Sequence, residues 1–257
     1  MNKKYVIDFT VVENIGLHPM FSLLKLRPLQ GELPHILPGQ FVQVAVPGSP
    51  ATFLRRPISV NFVEHDAALL WLLVRNAGSG TEHLVNLAPG ASLNLLLPLG
   101  KPFSYPRSKD ARILLIGGGV GVAPLLYFGH CLKQQGYSPE FLLGARTSEL
   151  LLERDLFESV GSVHIATDDG SDGHHGLVTT HPVLDSGIDH IYCCGPAPMM
   201  KGVAAQARRI GAECEVSLEN MMACGLGACL CCVEKTVRGN VCVCTEGPVF
   251  NINELTW

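Results

Sequence analysis

Charge is scarce in this 257-residue chain: 16% of its residues are Asp, Glu, Lys or Arg, and the formal net charge is −4. Its lysines and arginines are scattered, so there is no basic stripe to neutralise phosphates, and neither nucleic acid nor an acidic membrane is an expected partner. The chain also lacks an apolar opening run. After Lys3 and Lys4 it reaches Asp8 and Glu13 without a continuous hydrophobic stretch, so no secretory leader is expected and a cytoplasmic protein is. Internal repeats and low-complexity segments are missing too, which excludes a repeat architecture. Hydrophobic residues make up 47% of the chain, ample material for two buried cores with a small appendage.

Ten cysteines remain to be explained. In a reducing compartment they serve metal or redox chemistry more often than disulfides. Six of the ten fall between Cys224 and Cys244, whereas Cys131, Cys193, Cys194 and Cys214 are spread among apolar segments. The tail therefore reads as a distinct unit.

From Met1 to about Arg107, short runs rich in Val, Ile, Leu and Phe alternate with Pro and Gly. Examples are Phe41–Val46, Ile58–Phe62 and Leu69–Val74. This spacing predicts an antiparallel barrel without a long amphipathic helix. After Pro106 the rhythm becomes strand, turn, helix. Strands are expected at Arg112–Ile116, Glu140–Leu143, Val163–Ala166, His190–Cys194 and Glu213–Leu218, with helices near Val122–Gln135, Ser148–Val160 and Pro198–Ile210. Alternation of this kind predicts a doubly wound parallel sheet. The expected division is residues 1–107, 108–217 and 218–257.

The most specific local pattern is Cys224-Gly225-Leu226-Gly227-Ala228-Cys229-Leu230-Cys231-Cys232, followed by Cys244. Taking Cys224, Cys229, Cys232 and Cys244 as ligands gives four and then two intervening residues, the spacing of plant-type [2Fe-2S] ferredoxins. Small residues in such a loop let backbone N–H groups approach sulfur. A structural zinc site is the alternative, although it favours paired cysteines two to four residues apart. Cys231 and Cys242, each beside an expected ligand, are read as buried thiols.

Gly117-Gly118-Gly119-Val120-Gly121 ends an apolar strand and opens a helix, where glycines and helical N–H groups suit a pyrophosphate. The run departs from Gly-x-Gly-x-x-Gly, and a bare tight turn is the alternative. In Arg55-Arg56-Pro57-Ile58-Ser59 an arginine opens a strand and suits a phosphate; an ordinary strand with a surface arginine is the other reading. Val74-Arg75 and Gly78-Ser79-Gly80-Thr81 read equally as a hairpin end. Cys194-Gly195-Pro196 lies where a parallel strand meets the ligand crevice, or is simply a buried cysteine before a helix.

Taken in order, Arg56–Ser59, Gly78–Thr81, Gly117–Pro124, Cys194–Pro196 and the cysteine tail with Thr245-Glu246-Gly247-Pro248-Val249-Phe250 resemble one family over nearly the whole chain. It is the electron-transfer subunit of type B dihydroorotate dehydrogenase, a branch of the ferredoxin-NADP reductase superfamily. The resemblance implies an oxidoreductase subunit with FAD in the barrel, NAD in the second domain and a [2Fe-2S] cluster in the tail. It implies that Arg56 holds the FAD pyrophosphate and Ser59 the isoalloxazine ring. Pro57, Ile58, Val74, Arg75, Gly80 and Thr81 complete that site; Gly118, Gly119 and Gly121 face the dinucleotide phosphates, and Cys194 stands beside the nicotinamide. The Gly-Pro-Val-Phe stretch favours Cys244 over Cys242 as the last ligand.

A nicotinamide exchanges two electrons and an iron–sulfur cluster one, so a flavin must stand between them. Nothing in the chain offers a separate substrate site. The family implies that dihydroorotate is oxidised on an FMN-containing catalytic subunit, in a heterotetramer with two of each chain, for pyrimidine (UMP) biosynthesis. Rival readings are a related subunit of a sulfhydrogenase or ferredoxin:NADP oxidoreductase complex, or a redox-sensing or zinc-binding protein without turnover. Residues alone leave NAD and NADP open, because Arg146 follows the second strand where an acidic residue would select an unphosphorylated ribose.

Overall fold

A computed structural model describes residues 3–48 and 52–257. The first unit contains β1 (Tyr5–His18), β2 (Phe21–Pro28), β3 (Phe41–Val44), β4 (Arg56–Ser59), β5 (Phe62–Glu64), β6 (Leu69–Arg75), helix α1 (Ser79–Val85) and β7 (Ser92–Leu99). Its strands form one antiparallel sheet in the order β4-β3-β7-β1-β2-β6-β5. Alternate residues fill the inside of the curl, among them Val42 and Val44 of β3 and Leu93, Leu95 and Leu97 of β7. Gly78–Thr81, expected at a hairpin end, instead opens α1, whose first turn is tied by Thr81 Oγ1 accepting from the Ala77 N–H at 2.8 Å.

The second unit runs β8 (Ile113–Gly118), α2 (Ala123–Gln134), β9 (Pro139–Ala145), α3 (Arg154–Val160), β10 (Ser162–Thr167), β11 (His174–His175), β12 (His190–Cys194), α4 (Ala197–Ile210) and β13 (Glu213–Ser217). These strands are parallel, in the order β11-β10-β9-β8-β12-β13. The two-residue period of β8 explains the layering. Ile113 and Leu115 pack with α2 and α3, whereas Leu114 and Ile116 pack with Met200, Val203, Ala204 and Ala207 of α4.

The tail forms β14 (Val233–Thr236), β15 (Gly239–Cys242), α5 (Val243–Glu246) and β16 (Val249–Asn251). β16, which the sequence reading did not anticipate, joins the parallel sheet antiparallel to β13, pairing Ser217 with Val249 and Glu215 with Asn251. Cys232, Val243, Cys244 and Phe250 pack in one core with Phe41 and Leu99 of the barrel and Val216 and Leu218 of the nucleotide sheet. The tail is thereby wedged against both larger units. Among the described residues no helix is long and apolar enough to cross a membrane.

Two expected elements are broken at one place. Ile58–Phe62, read as a single strand, is split between β4 and β5 at Val60-Asn61, and Ser148–Val160, read as one helix, is a short 3-10 turn followed by α3. At the break the strand changes partner, from β3 to β6, and a polar contact between the two units lies there. Asn61, without solvent exposure, donates from Nδ2 to the Ala123 carbonyl at 3.3 Å and to Glu153 Oε2 at 2.9 Å. Glu153 takes a left-handed φ of 57° just before α3. Its Oε1 and the Asn61 Oδ1 are both buried without a partner. A proton on Glu153 gives its carboxyl a donor and removes a buried charge.

Burial raises the Glu153 carboxyl from its ordinary 4.5 to about 7, the Asn61 bond opposing the shift only in part. A raised carboxyl is proton-bound in the folded state, so its contribution is complete below the ordinary value and is lost as pH rises through about 7. The loss is about 3 kcal/mol at most. We expect Glu153→Gln, which keeps a donor at every pH, to remove that part of the decline in thermal midpoint between roughly pH 5 and pH 8. Melting curves of both proteins across this range check it; parallel declines refute the protonated pair.

Candidate functional site

The ends of the parallel strands face β4 of the barrel, and a cavity of 290 Å³ opens between them. It is lined by Pro57, Ile58 and Ser59 of β4, Arg75 at the end of β6, Val120 and Ala123 at the start of α2, and Leu218–Met222 after β13. A second cavity of 250 Å³ lies across the Leu218-Glu219-Asn220 wall, against Gly195, Lys201, Glu234 and Trp257.

Of the expected binding residues, Pro57, Ile58, Ser59 and Arg75 line the first cavity, and the others lie outside both. The Arg56 guanidinium lies over Gly80, where an added Cβ would stand 2.6 Å from Nε, so the α1 turn must be glycine for the arginine to lie there. Thr81 bonds its own turn. Val74 is wholly buried in the barrel core, leaving only its main chain for a ligand. In the glycine turn only Gly119 faces open space. Gly118 packs on Met199, and Gly121 on the Cys194-Gly195 main chain, where an added Cβ would meet the Cys194 carbonyl oxygen at 2.5 Å. Two of the three glycines therefore let the turn pack closely against the end of β12.

Cys194 is buried and lines neither cavity; its Sγ lies 3.9 Å from Glu219 Oε1. Burial drives its thiol well above the ordinary range, with the Glu219 charge adding to the shift. Burial also raises the Glu219 carboxyl, while the Arg75 charge lowers it. Sequence reasoning missed Glu219, which lines both cavities. The signal was available, since it follows the last parallel strand at the crevice end.

Arg146 is exposed at the end of β9. The turn after β10 comes back to it, with the Asp168 and Asp169 N–H groups donating to the Ala145 and Arg146 carbonyls at 3.0 and 3.2 Å. Two exposed carboxylates thus stand where the sequence offered only an arginine.

The tail cysteines gather in two groups. Cys224 and Cys229 are within thiol hydrogen-bond reach of each other, and Cys232 is within reach of both Cys244 and Cys242. Among the described residues no three His, Cys, Asp or Glu side chains converge on one point. Thiols in two groups suit two irons better than a single tetrahedral zinc ion. Sulfur receives backbone donors from the Leu226 N–H (to Cys224, 3.3 Å), the Gly227 N–H (to Cys244, 3.1 Å) and the Cys244 N–H (to Cys232, 3.4 Å). Against the upward push of burial, such donors bring Cys224 down to about 6. Burial pushes Cys244 up to about 12, so its ionisation calls for metal charge at the sulfur. Cys242 stands in the same group: burial and the neighbouring Cys232 raise its thiol, and its Sγ also faces the Gly227 carbonyl at 3.8 Å. Cys231, expected to be buried, is exposed on the outer turn.

Gly80→Ala is expected to fold with an unchanged melting midpoint, because the clash falls on the flexible Arg56 side chain, yet to displace that guanidinium from any pyrophosphate it holds. Flavin retained through gel filtration, compared with the wild type, reads the effect; equal retention refutes the role of Arg56.

Comparison with known proteins bears on this arrangement. Residues 219–256 match the model of the iron–sulfur cluster binding domain of dihydroorotate dehydrogenase B. The chain is 38% identical to the dihydroorotate dehydrogenase B (NAD⁺) electron transfer subunit of Shouchella clausii, over 88% of this chain and 90% of that one. It is 37% identical to the same subunit of Geobacillus kaustophilus, over 85% and 86%. Among solved structures, an NADH-dependent reduced ferredoxin-NADP oxidoreductase, studied for flavin-based electron bifurcation, superposes with a TM-score of 0.86 at 27% identity, over 97% of this chain and 90% of that one. The flavohem-like FAD/NAD binding domain of Vibrio cholerae nitric oxide dioxygenase, 20% identical, shares the fold with a TM-score of 0.68 over 82% and 98%. Identity of this extent along nearly the full length, joined to the matching cysteine tail, makes the chain a member of the dihydroorotate dehydrogenase B (NAD⁺) electron transfer subunit family.

Proposed function

We propose that this chain binds FAD, a [2Fe-2S] cluster and NAD(H), and carries electrons from dihydroorotate oxidation on an FMN-containing catalytic subunit to NAD⁺. The assembly is a cytoplasmic heterotetramer with two of each subunit, acting in de novo pyrimidine synthesis. The observation that carries the reading is the gathering of the tail cysteines, with Cys232 and Cys244 packed against both the barrel and the nucleotide sheet. Bound FAD exchanges two electrons with a nicotinamide and one with an iron–sulfur cluster.

The chain's own residues bind and orient. Arg56 neutralises the FAD pyrophosphate, while Pro57, Ile58 and Ser59 present strand β4 to the ring, with the Ser59 hydroxyl free to bond its polar edge. The Val74 main chain, Arg75, Gly80 and Thr81 complete the flavin site, and Arg75 also offsets the Glu219 charge. Gly118, Gly119 and Gly121 form the turn for the dinucleotide phosphates, and Cys194 positions the nicotinamide at the end of β12. Asp168 and Asp169 repel a 2′-phosphate, which supports NAD over NADP.

The likeness to the ferredoxin-NADP oxidoreductase favours one second reading, a subunit of such a complex. Reconstitution separates the two. The chain alone should hold one FAD and one two-iron cluster, oxidise NADH with artificial acceptors and leave dihydroorotate untouched. Adding the FMN-containing subunit should create dihydroorotate:NAD⁺ activity; reduction of ferredoxin without such activity favours the second reading.

Serine at Cys224, Cys229, Cys232 or Cys244 should abolish the cluster's visible and paramagnetic signals, whereas serine at Cys231 or Cys242 should leave them largely intact. A normal signal in the Cys244 variant paired with loss in the Cys242 variant refutes the ligand choice. The kcat/KM for NADH should exceed that for NADPH by about tenfold or more, and initial rates with both nucleotides measure it.

A further inference from the structure

Gln43 on β3 is wholly buried, and neither its Nε2 nor its Oε1 has a hydrogen-bond partner. A buried amide without partners is costly, and an apolar side chain of similar shape would fill the space without that cost. Its main chain is occupied in ordinary ways, by the strand ladder and by the Arg55 guanidinium donating to its carbonyl at 3.2 Å. The side chain is what needs an explanation.

Strand parity gives its direction. Val42 and Val44 point into the barrel core, so Phe41 and Gln43 point out of it, and Phe41 packs in the core that holds Cys232 and Cys244. Gln43 meets Gly225 of the cysteine loop. A Cβ on Gly225 would stand 2.9 Å from Gln43 Cγ and 3.3 Å from Nε2, and Gly225 has a left-handed φ of 69°. Close approach and backbone conformation both require glycine there, immediately after Cys224. Backbone N–H groups of the tail itself, among them Leu226, Gly227 and Cys244, already donate to tail sulfur. The Gln43 main chain pairs with Pro57 of β4 in the sheet. The residue therefore sits beside the flavin-side strand with its side chain at the cysteine loop.

We propose that the Gln43 amide donates an N–H hydrogen bond to a sulfide of the bound [2Fe-2S] cluster beside the Cys224 loop, and so raises its reduction potential. The inference rests on the cluster reading above. A reduced cluster carries one more negative charge on its sulfurs than the oxidised one, so a donor aimed at sulfur stabilises the reduced form more. The nitrogen lies at the loop, and a negatively charged acceptor there relieves its desolvation.

The test is a redox titration of the FAD- and cluster-loaded chain, followed by paramagnetic resonance of the reduced cluster, for wild type and Gln43→Leu. The expected result is an intact signal in the variant with its midpoint moved negative by about a tenfold change in the one-electron equilibrium, 59 mV. An unchanged midpoint with full cluster content overturns the proposal. A variant that fails to assemble is replaced by a measurement on the wild type. With ¹⁵N in the glutamine side-chain amides, pulsed resonance of the reduced cluster should detect a weakly coupled nitrogen, and its absence overturns the proposal. A wild-type chain without any two-iron signal overturns the cluster reading itself and this inference with it, a result distinct from an unmoved potential.

Discussion

The pairing of β16 with β13 fixes the relation among all the sites of this protein. Without it the cysteine loop would be a tail on a tether. With it, the chain leaves the parallel sheet at Leu218, forms the loop and hairpin, and returns to the same edge at Val249, where Leu218 donates to the Pro248 carbonyl at 2.9 Å. The Lys101 N–H reaches the Gly247 carbonyl at 2.6 Å and ties the barrel's last strand to the same corner. Three units that could drift are pinned at one point, which electron transfer over fixed distances requires.

Much of this architecture was legible because its periodicities are regular. Alternation in β8 separates two apolar layers cleanly, and strands followed by helices announce a parallel sheet. Failures occurred where a polar residue reaches across the two units. Asn61 and Glu153 are distant in sequence, and nothing local shows that their side chains meet. Their contact lies where the strand changes partner on one side and where α3 begins on the other. Likewise β16 is only three residues long, and its strand character comes from the edge it joins rather than from its own pattern.

The site was legible unevenly for the same reason. Cysteine spacing is a local signal, and the tail cysteines do gather, although Cys242 meets Cys232 in the same kind of contact as Cys244 does. Glycine runs are ambiguous, and here close packing against the end of β12 explains Gly118 and Gly121 as well as a ligand does. Glu219 and Gln43 carried no motif at all. They stand out only once burial is known, Glu219 for its place between two cavities and Gln43 for an amide with nothing to bond.

The loop that buries Cys232 and Gly225 exposes Met221, Leu226, Leu230 and Cys229 on its outer side. Its inner side is held by the barrel and the sheet, so it is constrained by packing and by the flavin geometry. Leu226, Leu230 and Cys229 on its outer rim are exposed. On the proposed reading, single electrons cross the protein boundary at this rim, and the hydride site lies on the opposite side of the flavin. A change of partner then requires new rim residues and no change in the core. A ferredoxin-NADP oxidoreductase superposes at 27% identity with an overall fold that is nearly the same. On that reading the packed interior holds the relay, while exposed side chains around the cysteines can differ without disturbing it.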